Sequence, residues 1–159
     1  MAFQQEAFLQ KAAFAAHAAG HIFPEYAACE AALESAWGQS RLAIAANNLF
    51  GQKQLPSSSP VLQTISLPTR EYLHGKWVTV NASWASFPDW NACFQARMHL
   101  LVAASRMYPH YAAALAATSG RQFVLEVSQT WSTDPARASK VLAIYDAHQA
   151  CLGPSLRQA

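Results

Sequence analysis

With 159 residues and a formal charge of +2, the chain has room for one compact domain, because folding at this length buries about two-thirds of the surface exposed by the unfolded chain. Apolar residues make up 52% of it and charged residues 13%, which excludes a disordered chain. The mild positive charge suits an anionic polymer and falls short of a nucleic-acid signature, so no nucleic-acid partner is expected.

The start, Met1-Ala-Phe-Gln-Gln-Glu-Ala-Phe, lacks the basic residues and unbroken apolar run of a secretory signal. No stretch of about 18 apolar residues is available for membrane insertion. The expectation is a soluble monomer without an export address, carried by a phage, delivered by a secretion system, or excised from a larger protein. Cys29, Cys93 and Cys151 are odd in number and lack CxxC spacing, so they read as buried thiols rather than a disulfide framework or zinc site.

Along the chain, Phe3, Ala7, Lys11, Phe14 and Ala18 have helical spacing in an Ala-rich background, predicting a first helix over Phe3–Ala19 that stops at Gly20. Pro24 suits a first helical turn, and Tyr26, Cys29, Leu33 and Trp37 continue the period to Gly38, predicting a second helix over Pro24–Trp37. A short helical piece over Ser40–Ala46 leads into Asn47-Asn48-Leu49-Phe50-Gly51, a tight turn, and then into an exposed, mobile loop over Gln54–Pro60.

The texture then becomes β-branched and aromatic. Val61–Leu67, Thr69–Tyr72 and Lys76–Ala82 read as strands, with His74-Gly75 as a hairpin turn, giving a small β lobe over about residues 61–82. Asp89 is placed to cap a helix from Trp90 to about Met107, another helix follows Pro109, and Asp134-Pro135 starts a last one through His148. With no internal repeat and no linker, residues 1–159 form one mainly α domain with a single β excursion.

Candidate chemistry begins with the acids. Glycoside hydrolysis needs a protonated carboxylic acid beside the leaving oxygen and usually a second carboxylate, and only nine acidic residues are available. Glu34 lies at the edge of the second helix's core stripe, where desolvation and the negative helix end both favour a retained proton. Glu30, one turn earlier, either helps hold that proton as a like charge or is a solvated residue on the cleft rim. Asn47 and Asn48 suit either an N-acetyl group, with Phe50 packing beneath, or a turn held by side-chain amides. Tyr72, Trp84 and Trp131 read as sugar-stacking faces or as core. His17 and His21 lack the glutamate of a zinc helix, and Walker, dinucleotide and Gly-x-Ser-x-Gly fingerprints are missing. No metal and no cofactor are expected.

The run Ala31-Ala32-Leu33-Glu34-Ser35-Ala36-Trp37-Gly38-Gln39-Ser40, followed by Ala45-Ala46-Asn47-Asn48-Leu49-Phe50-Gly51-Gln52-Lys53, resembles the signature of the glucosaminidase family of peptidoglycan hydrolases, glycoside hydrolase family 73. Pro68-Thr69-Arg70-Glu71-Tyr72-Leu73-His74-Gly75 is similar to the family's Thr-x-Glu-Tyr-x-x-Gly hairpin, and Trp131-Ser132-Thr133-Asp134-Pro135 to its Tyr-Ala-Thr-Asp-Pro element. The resemblance runs from about Phe3 to His148.

It implies a lysozyme-like helical core with a β lobe walling a sugar cleft. It also implies cleavage of bacterial peptidoglycan after N-acetylglucosamine, at the cell wall or periplasm, with Glu34 as general acid and Glu71 as second carboxylate. Read from the residues alone, Glu71 is an exposed strand glutamate. Two departures stand out. Trp84-Ala85-Ser86-Phe87 replaces a common Phe-Arg-x-Tyr, and Trp131 replaces a tyrosine.

Overall fold

The structure, a computed structural model, describes residues 2–53 and 62–157. The loop expected over Gln54–Pro60 lies outside these residues. The described chain runs α1 (Ala2–Ala18), α2 (Pro24–Glu34), α3 (Arg41–Ala46), β1 (Gln63–Leu73), β2 (Lys76–Ser86), α4 (Trp90–Ala104), α5 (Pro109–Leu115), α6 (Gly120–Trp131) and α7 (Arg137–Arg157). The architecture is the mainly α, lysozyme-like one, with a two-stranded lobe.

α2 is the hub, packing against α1, α6 and α7. Ala27, Ala28, Ala31 and Ala32 are all completely buried, so helix backbones approach closely from several sides, as a helix buried all round requires. The evenly spaced set that marks α1 in the sequence does not mark its buried face. Phe3 and Phe14 are 83% and 51% exposed, while Phe8, Leu9, Ala12, Ala13 and Ala16 face the core. In an Ala-rich helix both faces are apolar enough to pack, and proximity to α2 selects the one with small residues.

α2 ends at Glu34, three residues short of the end predicted at Trp37. Ala36, Trp37 and Gly38 all take left-handed conformations, with φ of 50°, 58° and 78°, at a cost of about 1–2 kcal/mol for each residue bearing a Cβ. Ser35 holds this turn, donating to the Ala31 carbonyl at 2.6 Å and accepting from Gly38 N–H at 2.8 Å. Trp37 N–H returns to the Ala32 carbonyl at 2.8 Å, and its ring meets Phe8 edge-on. The last α2 residue is thereby pinned.

The hairpin is longer than predicted. Both strands are continuous and antiparallel from Gln63↔Ser86 to Leu73↔Lys76, so the lobe covers 63–86 and not about 61–82. Pro68 does not interrupt β1, because in a two-stranded ribbon its missing N–H can face away from the partner. His74 and Gly75 both have positive φ, as a two-residue turn matching the strand twist demands.

Asn48 clamps the hairpin to the helices. Its buried amide donates to the Gln52 and Ala85 carbonyls at 2.8 and 2.9 Å, and its oxygen accepts from the Phe50 and Gln52 N–H groups. Asn47, left-handed at φ 51°, closes α3 and donates to the Phe87 carbonyl.

Asp89 caps α4 as expected, but that helix ends at Ala104 rather than near Met107. The single helix expected after Pro109 is two, with α6 restarting under a Ser119 cap. Gly120 is obligatory there, since a Cβ would lie 2.1 Å from the Tyr26 ring. α7 continues past His148 to Arg157. Cys29 and Cys93 are buried thiols, whereas Cys151 is only half-buried, and none forms a disulfide.

Asn48→Ala would strand two buried N–H groups and two carbonyls, at about 1–3 kcal/mol for each left unsatisfied. The expected outcome is a loss of about 3 kcal/mol or more in urea unfolding, with faster hydrogen exchange at Gln52 and Ala85.

Candidate active site

Glu34 is the last residue of α2, and its side chain keeps 24% of its surface. It therefore emerges at the edge of the buried face, as its place in the sequence predicts. The structure adds a cation. Arg137 donates from Nε to Glu34 Oε1 at 2.8 Å, and no hydrogen bond to Oε2 is made among the described residues.

One turn back, Glu30 corrects the sequence reading. It is no solvated rim residue but is fully buried. Arg97 of α4 grips it with both terminal nitrogens, at 3.0 and 2.8 Å, and Arg137 adds a third bond at 2.8 Å. Burial alone would push this carboxyl up; the guanidinium groups of Arg97 and Arg137 overcome that and hold it at about 2. Glu30 thus stays ionised and is walled off from any substrate.

Arg137 is 1% exposed and spends each guanidinium nitrogen on a different partner: Glu34, Glu30 and the Ser128 hydroxyl on α6. Arg97 lies over the Phe50 and Trp131 rings at 4.3 and 4.6 Å, so two aromatic faces cover the buried charge. These contacts fill Phe50, which is 3% exposed, and occupy one side of the half-buried Trp131. His21 completes the surroundings. It packs edge-on against Phe94 and Phe123, and burial together with the Arg97 charge lowers it to about 4.

The remaining predicted residues divide by position. Glu71 pairs with Val78 near the hairpin tip, on the half-buried face that also carries Ile65 and Val80. No hydrogen bond or ion pair joins it to Glu34. Tyr72 lies on the opposite face, 60% exposed against Trp77. Trp84 sits opposite Ile65, with Lys53 Nζ 5.0 Å from its ring centre. Asn48 has both amide hydrogens committed to carbonyls, leaving none for a sugar. Among the described residues, no group of three or more His, Cys, Asp or Glu side chains could hold a metal ion.

Arg97, Arg137 and Ser128 were missed in the sequence. The available signal was Glu30 itself, a charge inside an otherwise small and apolar run, which must find a buried cation. Arg137 stands three residues after Asp134, which accepts from Ala136 N–H at 2.9 Å and pairs with Lys140. The Asp-Pro element read as a helix start therefore also delivers the arginine.

A partly exposed carboxylate thus stands at the end of the central helix, in a mainly α fold that carries a hairpin lobe. The chain belongs to the glucosaminidase family: the family model described as mannosyl-glycoprotein endo-beta-N-acetylglucosaminidase matches residues 10–150.

Among related sequences, a probable N-acetylmuramidase of Lactococcus lactis subsp. cremoris is 30% identical over 151 residues, covering 89% of this chain and 34% of that protein. The exo-glucosaminidase LytG of Bacillus subtilis is 30% identical, covering 79% of this chain and 44% of its own length. The chain thus spans less than half the length of these curated relatives. Among solved structures, the catalytic domain of the autolysin Auto from Listeria monocytogenes has a TM-score of 0.76 at 24% identity, covering 93% of this chain and 86% of that one. A C-terminally truncated glycoside hydrolase domain of FlgJ from Salmonella typhimurium has a TM-score of 0.71 at 24% identity, with 92% and 98% covered.

The charge arrangement sets a pH dependence of stability. His21, neutral in the fold, resists protonation that the unfolded chain accepts near 6.5, so stability falls as pH drops from 6.5 to about 4. Glu30 contributes fully above its ordinary value of 4.5 and loses its contribution as pH falls to about 2. Each gap corresponds to a loss on the order of 3 kcal/mol. Thermal unfolding should show a two-stage decline from pH 7 to pH 2. His21→Asn should remove the first stage, delaying the decline until below about pH 4.5.

Proposed function

We propose that this domain is an endo-acting β-N-acetylglucosaminidase that cuts bacterial peptidoglycan after N-acetylglucosamine, with Glu34 as general acid. The observation that carries this reading is the state of Glu34: pinned at a helix end, bonded through one oxygen, with the other making no hydrogen bond among the described residues. A family of glycosidases supplies the reaction class, and the mild positive charge suits an anionic wall.

In the reaction, Glu34 delivers a proton to the glycosidic oxygen as the C1–O bond breaks. Glu71, on the half-buried face of the hairpin, supports water attack or the positive charge at C1 once the lobe swings inward. If the hairpin stays open, the substrate's own acetamido group takes that part. Asn47, Tyr72, Trp84 and Trp131 then stand as candidate sugar contacts, with Tyr72 the most exposed of them. The site of action is the cell wall or periplasm.

A second reading is favoured by a specific finding, since three relatives from Lactococcus lactis bear the name probable N-acetylmuramidase. Purified wall should be digested, the fragments reduced with borohydride, and their masses read. Reduced N-acetylglucosamine ends are expected. Reduced N-acetylmuramic acid ends would establish the muramidase, and anhydro-muramic ends a lytic transglycosylase. Glu34→Gln should lower release by about 1,000-fold or more, and Glu71→Gln by a smaller factor of about 10–100. No release by either wild type or Glu34→Gln, with both sedimenting with the wall, would instead mark a non-catalytic wall-binding or tail-assembly module.

A further inference from the structure

We propose that Arg137 is the positioning residue of the general acid. It holds Glu34 by Oε1 so that Oε2 carries the transferred proton, and it receives the negative charge left on Glu34 as that proton departs. This rests on reading Glu34 as the acid.

The case begins with where Arg137 sits. It is buried at the first residue of α7, where burial and the positive helix end both disfavour a cation. Helix stability does not explain it there. Neutralising Glu30 accounts for only part of its placement, because Arg97 already grips that carboxylate with two nitrogens and Arg137 gives it only one of its three.

The cluster is also unbalanced. Arg97 and Arg137 bring two positive charges against the single fully buried carboxylate of Glu30. Glu30 satisfies Arg97 bidentately and takes only one nitrogen of Arg137. Ser128 takes a second without neutralising it, and the third is aimed at Glu34, the one half-exposed member. The uncompensated positive charge is thus delivered to the carboxyl that touches solvent.

That asymmetry matches the proton transfer. As the C1–O bond breaks, its electron pair stays on the leaving oxygen, which takes the proton from Glu34. Positive charge develops at C1, and Glu34 becomes a carboxylate. The guanidinium is already hydrogen-bonded to Oε1, so the new anion is stabilised without reorganisation, which is the condition under which electrostatics accelerates a step.

The test measures kcat and KM for reducing-end release, wall sedimentation and melting temperature for wild type, Arg137→Met, Arg137→Lys, Glu34→Gln, and the Glu34→Gln, Arg137→Met double variant. Arg137→Met should lower kcat by about 100-fold with KM within about threefold and wall binding unchanged. Arg137→Lys should recover about tenfold of that, by keeping the charge with a poorer fork. The double variant should be no slower than Glu34→Gln alone, because Arg137 acts through Glu34.

Three outcomes would overturn the inference: kcat within threefold of wild type in Arg137→Met, a parallel loss of wall binding, or a double variant far slower than Glu34→Gln. If Arg137→Met does not fold, Ser128→Ala decides. A drop of about three- to tenfold in kcat at unchanged KM supports the role, and an unchanged kcat rejects it. Release by wild type equal to that by Glu34→Gln would defeat the reading of Glu34 as the acid, a result distinct from all of these.

Discussion

A carboxylate without solvent, set in the middle of the most crowded helix, is the constraint around which the domain is arranged. Glu30 can exist there as an anion only if cations come to it, and α4 and α7 each deliver one from positions 67 and 107 residues away. The alanines around it make this possible by letting neighbouring helices approach α2 closely enough for two guanidinium groups to reach its core. Phe50 and Trp131 then cover the assembly with ring faces. Helix packing and site electrostatics are therefore one problem with one solution.

The same constraint separates two glutamates that look alike in sequence. Glu30 and Glu34 sit one turn apart on one helix, yet one is sealed and the other half-open because α2 stops directly after Glu34. Ser35 and the left-handed turn over 36–38 remove the next helical turn, which would otherwise stand beside the carboxyl. Backbone strain at that point is the cost of exposing Glu34 and is offset by the Ser35 hydrogen bonds and the Trp37 contact with Phe8.

Elements with local signals were legible in the sequence. Asp89, Ser40 and Gly20 mark helix ends by chemistry within a few residues, and His74-Gly75 marks its turn by the conformations both residues adopt. The partly exposed placement of Glu34 was legible because the helix end lies nearby. The face of α1 was not, since alanine offers no contrast between inside and outside. The role of Glu30 and the presence of Arg97 and Arg137 were not legible either. A buried charge announces that a partner exists, but nothing local tells which distant arginine it is. The break between α5 and α6 did carry a local signal that went unread, Ser119, whose hydroxyl caps α6 by accepting from Gln122 N–H, whereas the requirement for Gly120 comes from Tyr26, far away in the chain.

The hairpin root is small, and its leverage is large. Asn48 and Gln52 hold Ala85, while the Glu71↔Val78 pair stands seven residues further along β2, or about 23 Å at the rise of an extended strand. A tilt of about 10° at the root moves that pair by about 4 Å, more than the length of a hydrogen bond. The position of Glu71 is thus set by a root made of main-chain carbonyls and one buried amide. Sequence changes in the 47–52 turn can therefore retune the spacing between Glu34 and Glu71 without touching either of them.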